Sequence, residues 1–158
     1  MIAVSVGHGP ETEAELDMAA LSELLQNTLH LNGVAPPAEV SLSFVSSEEI
    51  AALNATYMGS DGPTDVLSFP IDQNDAVPAG VVRMLGDIVI CADVARRNAS
   101  THTGSFDDEL ALLVVHSALH LLGHDHANDI DRAAMWHAER MSMREFWRPL
   151  SRDPWTEA

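Results

Sequence analysis

Three histidines, His116, His120 and His126, have the residue type and the spacing of a metal site. On a helix His116 and His120 stand at i and i+4, so their rings project from one face, one turn apart. Imidazole nitrogens placed this way reach one ion at about 2.0–2.1 Å. Gly123 is placed to end that helix and turn the chain back, bringing His126 to the same ion from the side. Three protein ligands leave a fourth position for water or substrate, as in a catalytic zinc rather than a closed structural one. A single histidine on an apolar helix is more often a hydrogen-bonded core residue, and an i,i+4 pair alone does not decide between the two. The third histidine does, because three buried imidazoles without an ion would each need partners that this segment lacks.

The spacing also matches the metzincin protease pattern H-E-x-x-H-x-x-G-x-x-H at every position but one, where Ser117 replaces the general-base Glu. A hydroxyl does not take a proton at neutral pH as a carboxylate does, which argues against peptide hydrolysis by that route.

The elements that must position these residues are readable from periodicity. Asp107, Asp108 and Glu109 crowd the first turn of a helix from Phe106, and Leu110 to Val115 is apolar all round, so the helix is expected to be central and buried. Ile2, Val4 and Val6 alternate as a strand, as do Val40, Leu42 and Phe44. Between them Thr12-x-x-Glu15 is a capping box for a helix to about Leu31, and strand, helix, strand predicts a crossover with parallel pairing. Ser46-x-x-Glu49 opens a short helix through Tyr57, Asp65 to Phe69 reads as a strand, and Ile88 to Cys91 as a strand buried on both faces. Residues 70–85 read as a long loop, a last helix spans about Ile130 to Phe146, and the tail after Pro149 is expected to be loosely held.

The chain has 158 residues, 46% of them apolar, enough for one domain (1–158) with a sizeable core. Against 24 Asp and Glu stand 8 basic residues, all Arg, for a formal charge of −16. That disfavours a sequence-blind nucleic-acid binder with a basic stripe, though not a protein that grips a polyanion locally. The single Cys91 excludes an internal disulfide framework and fits a reducing, cytoplasmic setting. No apolar run reaches the ~18 residues of a membrane span, so no membrane partner is expected.

His116 to His126 resembles the signature of the YbeY family, bacterial metal-dependent endoribonucleases of ribosomal RNA maturation. Gly62 to Pro70, with Pro63-Thr64-Asp65-Val66-Leu67-Ser68-Phe69-Pro70, resembles the family's PTDVLSFP element, and Leu85 to Ile90 its LGDIVI strand. With Leu53, Asn54 and Tyr57 the similarity covers about residues 40–126. The resemblance implies an α+β fold, a single domain whose central mixed four-stranded sheet packs against about five helices. It places a metal site in a cleft at the end of the buried central helix. It further implies single-stranded RNA as substrate, action at the 3′ end of the small-subunit ribosomal RNA, ribosome quality control, and the ribosome or its small subunit as partner. His116, His120 and His126 carry over as ligands of one Zn²⁺ per chain. Asp125 either orients an imidazole or transfers a proton, or else caps the turn. The family's Arg after the aromatic is Met58 here, and His124 stands where the family usually has Tyr.

Local positive charge would have to come from the ion and from arginines. Arg83 in the long loop and Arg96 and Arg97 after the LGDIVI strand are candidate substrate contacts. Arg140, Arg144 and Arg148 recur at i+4, a solvated face at its plainest and a phosphate-contacting ridge at its most functional. Asp65 and Asp87 read more readily as turn caps than as catalytic bases. His8, His30, His102 and His137 read as surface or helix-end residues isolated from the motif, and Trp136, Trp147 and Trp155 as core and tail packing rather than base stacking. Two other functions fit less of the pattern: a ribosome-associated factor with a structural metal, and a metal-dependent hydrolase of another substrate.

Overall fold

A computed structural model of the chain describes residues 2–8, 16–71 and 77–156. Four strands, β1 (Ile2–His8), β2 (Ala38–Val45), β3 (Val66–Pro70) and β4 (Arg83–Cys91), form one sheet in the order β1-β2-β4-β3. β1, β2 and β4 run parallel and β3 antiparallel to β4, so the sheet is mixed. The parallel β1–β2 pair is joined through helix α1 (Met18–Leu31), the crossover that the alternating segments predict. The capping box at Thr12 lies outside the described residues. The described helix begins later, where the Asp17 carboxylate accepts from the Ala20 N–H at 3.0 Å.

The expected long loop is shorter than 70–85, because β3 runs through Pro70 and β4 starts at Arg83. Between Glu39 and Val40 the β2–β4 register shifts by one residue, which leaves Leu85 as an extra residue of β4 ahead of Gly86. Gly86 has φ +143°, and a Cβ there would collide with the Phe69 carbonyl oxygen and crowd Leu121. The glycine therefore lets β3 and the end of the central helix approach the sheet. The far half of β4 is apolar and deeply buried from Ile88 to Cys91, as its continuous apolar run requires.

The remaining helices are α2 (Ser47–Leu53), continued by a π-helical turn over Asn54–Met58, then α3 (Ala92–Ala99), α4 (Phe106–Leu121) and α5 (Asp129–Phe146). α4 packs against α1, α3, α5, β3 and β4, which makes it the helix around which the domain is built. The Ser105 hydroxyl accepts from the Asp108 N–H at its start. From Leu110 to Val115 every side chain is buried, each Leu or Val contributing on the order of 1.5–3 kcal/mol.

The C-terminal tail is not loose. Ser151 Oγ donates to the Thr103 carbonyl, as does the Arg152 N–H, both at 3.2 Å, and Leu150 and Trp155 pack against the core. Asp108, itself buried, accepts from Trp147 Nε1 at 2.9 Å and Arg148 Nε at 2.8 Å, anchoring the end of α5 to the start of α4. Burial alone would push the Asp108 carboxyl up, but the hydrogen bonds from Trp147, Arg148 and Ser105 hold it below the usual carboxylate range.

Candidate metal centre

His116 and His120 lie in the last two turns of α4. The helix stops at a Schellman motif: the Gly123 N–H bonds the His120 carbonyl and the His124 N–H bonds the Leu119 carbonyl, both at 3.0 Å. Gly123 takes φ +97°, so the chain reverses within two residues and His126 faces the two helical histidines. One ligand atom from each of the three rings lies within 4.8 Å of the others. His116 Nε2 and His120 Nε2 are 3.1 Å apart. Two nitrogens in a tetrahedral shell about 2.05 Å from an ion stand about 3.3 Å apart, so this pair already has nearly that spacing. The donor set and its geometry fit a divalent ion that favours imidazole.

His116 is locked from behind. Its Nδ1 lies 2.7 Å from Glu139 Oε1, on a carboxylate only 4% exposed in the middle of α5. The second carboxylate oxygen accepts from Trp155 Nε1 at 2.8 Å. With Nδ1 protonated and held by Glu139, His116 presents the Nε2 lone pair to the ion. Burial and the neighbouring His116 and His126 rings push the His120 pKa down, which favours the neutral imidazole that a metal requires. Ser117 is buried and donates to the Leu113 carbonyl at 2.6 Å within its own helix. Its hydroxyl is thereby occupied with backbone, so the position that carries a protease's Glu contributes no base here.

The histidines open onto a cleft of about 540 Å³. β3 lines one side of it, Met58 lies on its rim, and among the described residues Asp65 and Asp125 are the carboxylates that line it. Asp125 is exposed, and its Oδ1 accepts from the His126 N–H at 2.7 Å, the turn-capping geometry. Asp87 accepts from Ser41 Oγ on the neighbouring strand, a structural tie between β2 and β4.

The candidate arginines do not line this cleft. Arg83 is the first residue of β4 rather than part of a loop, so the sheet fixes its backbone. Arg96 and Arg97 occupy the last turn of α3, with the Arg96 guanidinium 4.0 Å above the Phe106 ring. Nor is His102 isolated: its Nδ1 lies 2.9 Å from the buried Glu109 carboxylate, and its pKa is raised, chiefly by that hydrogen bond. His102, Trp136, Glu139 and Trp155 line a second cavity of about 270 Å³, which shares Asp65, Val66 and His116 with the cleft. Trp155 packs against the core as expected, while Trp136 is half-buried on the cavity wall under the Arg132 guanidinium.

Glu139 was the functional residue hardest to foresee. The signal available was its place in the stripe Met135, Glu139, Ser142 and Met143, where an acid falls on the buried face of an otherwise amphipathic helix.

Known proteins resemble this chain over most of its length. The family model described as endoribonuclease YbeY matches residues 9–147. An endoribonuclease YbeY from Alkaliphilus metalliredigens is 42% identical over 136 residues, spanning 85% of this chain and 87% of its own. One from Salinispora tropica is 39% identical over 141 residues, covering 84% and 90%. A third, from Frankia casuarinae, is 42% identical over 128 residues, 77% of this chain but 62% of that longer protein. The solution structure of TM1509 from Thermotoga maritima superposes with a TM-score of 0.62 at 29% identity, covering 93% of this chain and 89% of that one. The chain belongs to the endoribonuclease YbeY family.

Proposed function

We propose that this protein is a zinc-dependent, single-strand-specific endoribonuclease of ribosomal RNA maturation, acting at the 3′ end of the small-subunit RNA and in ribosome quality control. The observation that carries the reading is the three-histidine cluster in an open cleft, with His116 Nδ1 2.7 Å from the buried Glu139 carboxylate. Family membership supports RNA as the substrate. His116, His120 and His126 would hold a divalent ion, which would supply Lewis acidity toward a phosphate oxygen and lower the pKa of a bound water. In this reading Asp125, exposed at the cleft with one oxygen accepting from the His126 N–H, would take the proton of the attacking hydroxyl through its other oxygen. β3, the edge strand of the sheet, lines the cleft through Val66, Leu67, Ser68 and Pro70. No helix among the described residues is long and apolar enough to cross a membrane. A buried free Cys91 thiol fits a reducing cytoplasm in which the ribosome is the partner.

Met58 on the cleft rim, with no Lys or Arg among the described lining residues, favours a second reading, a ribosome-associated factor whose metal is structural. Cleavage of a 3′-extended small-subunit RNA fragment, next to a duplex of the same sequence and a peptide library, separates these readings. The proposal expects endonucleolytic cuts in the single strand alone. No cut in any RNA under metal-replete conditions would overturn it. A 2′,3′-cyclic phosphate trapped at early times would identify the RNA 2′-OH as nucleophile.

A further inference from the structure

Three of the eight arginines, Arg140, Arg144 and Arg148, meet in one groove of about 330 Å³ along α5. Met143, Pro149, Leu150 and Trp155 line it with them, and no carboxylate among the described residues does. In a chain with 24 acidic residues and a formal charge of −16, a concavity whose described lining is cations and apolar groups offers the local grip that a polyanion requires. All three arginines are exposed. Arg148 gives its Nε to the buried Asp108, which fixes the side chain and offsets its charge. Arg140 packs over Trp155, 5.3 Å from the ring centre, and donates to the Trp155 carbonyl. Arg144 bonds only the Met141 sulfur, and neither Arg140 nor Arg144 has a carboxylate within ion-pair distance among the described residues.

The groove also shares a wall with the cavity that backs the metal site. Trp155 is a wall of both the groove and the cavity behind His116, and that cavity shares Asp65, Val66 and His116 with the cleft. The three concavities therefore adjoin in sequence, the last two along α5. We propose that the groove of Arg140, Arg144 and Arg148 is an exosite that binds the phosphate backbone of single-stranded RNA leaving the metal cleft, an inference that rests on the ribonuclease reading above. Guanidinium groups suit phosphate oxygens by geometry as well as charge, and the site supplies what the cleft, with Met58 on its rim, lacks.

The test is binding of a fluorescent 2′-O-methyl 20-mer to the metal-loaded chain, read by anisotropy across a salt series, with a gel confirming that the probe stays intact. R140Q/R144Q is expected to weaken binding about tenfold at low salt. It should also flatten the dependence of log Kd on log salt by about 1.4, twice the value of about 0.7 per single-strand phosphate contact. R140K/R144K should keep most of the salt slope. If the double variant fails to fold by circular dichroism, R144Q alone should flatten the slope by about 0.7. Unchanged affinity and slope in a folded variant would overturn the exosite. Cleavage of an unmodified 20-mer by the same samples separates the two ideas. Wild-type cleavage with arginine-independent binding refutes the groove alone. Arginine-dependent binding without any cleavage refutes the ribonuclease reading and leaves the groove standing.

Discussion

Replacing Glu139 with Gln changes one atom and should cost the protein much of its metal. The Glu139 carboxylate accepts two hydrogen bonds at once, 2.7 Å from His116 Nδ1 and 2.8 Å from Trp155 Nε1. A glutamine offers one acceptor and one donor. If its oxygen faces His116, its NH₂ meets the Trp155 N–H and two donors oppose each other in a buried site. If it flips, its NH₂ meets His116 Nδ1, which must become the acceptor, and the proton moves to Nε2, the nitrogen that should hold the ion. Either arrangement disfavours binding. Loss of such an orienting partner costs about 10- to 100-fold in metal affinity, about 1.4–2.7 kcal/mol. Competition for zinc against a chromophoric chelator measures this directly, and the visible absorption of a cobalt-substituted sample reports the ligand geometry. The reasoning also predicts a rescue. In E139Q/W155F the opposing donor is gone, so the glutamine oxygen can face His116, and the double variant should bind zinc more tightly than E139Q. E139Q with wild-type zinc affinity, or a double variant weaker than E139Q, would refute this role for Glu139.

His120→Ala removes one ligand from a partly exposed position, so zinc binding and RNA cleavage should be lost while thermal stability of the metal-free chain changes by no more than about 1 kcal/mol; collapse of the metal-free fold would show instead that this ring is a core element. Gly123→Ala forces an L-residue to φ +97°, costing about 1–2 kcal/mol in denaturant unfolding, and should weaken zinc binding further by displacing His126; unchanged affinity would mean that the turn does not set the third ligand. The His102–Glu109 pair raises the His102 pKa in the folded chain, so its contribution is complete below the ordinary histidine value of about 6.5 and fades as pH rises through the elevated native value. Denaturation midpoints of the wild type should therefore fall across that range more than those of His102→Gln, and parallel profiles would refute the pairing. The depressed Asp108 pKa works in the opposite sense. Its contribution is present above the ordinary carboxyl value and lost as pH falls through the native one, so Asp108→Asn should flatten the acid limb of the same profile.

What could be read from the sequence was whatever local spacing determines. The positions of His116, His120, Gly123 and His126 define a helix, its stop and a returning ligand within eleven residues, and the structure brings these rings together. Alternation in Ile2–Val6 and Val40–Phe44 marked the parallel pair, and the apolar run of α4 marked the core. What escaped depends on partners remote in the chain. Glu139 lies 23 residues from His116 and Trp155 another 16 on, so neither bond has a local signature. α3 was not anticipated because Cys91 caps it without a side-chain hydrogen bond and its buried face is mostly alanine, with Val94 the one larger side chain. The tail after Pro149 reads as loose from its polar composition, yet Thr103 and Glu139 hold it in place.

The most direct test is zinc titration of the chelated protein with cleavage of a single-stranded RNA read at every point. Activity should rise linearly with zinc and level off at one equivalent per chain, and His116→Ala should stay inactive throughout. Cleavage that is already complete without metal, or a chain saturated with zinc that cuts no RNA, would contradict the three-histidine centre as the seat of catalysis.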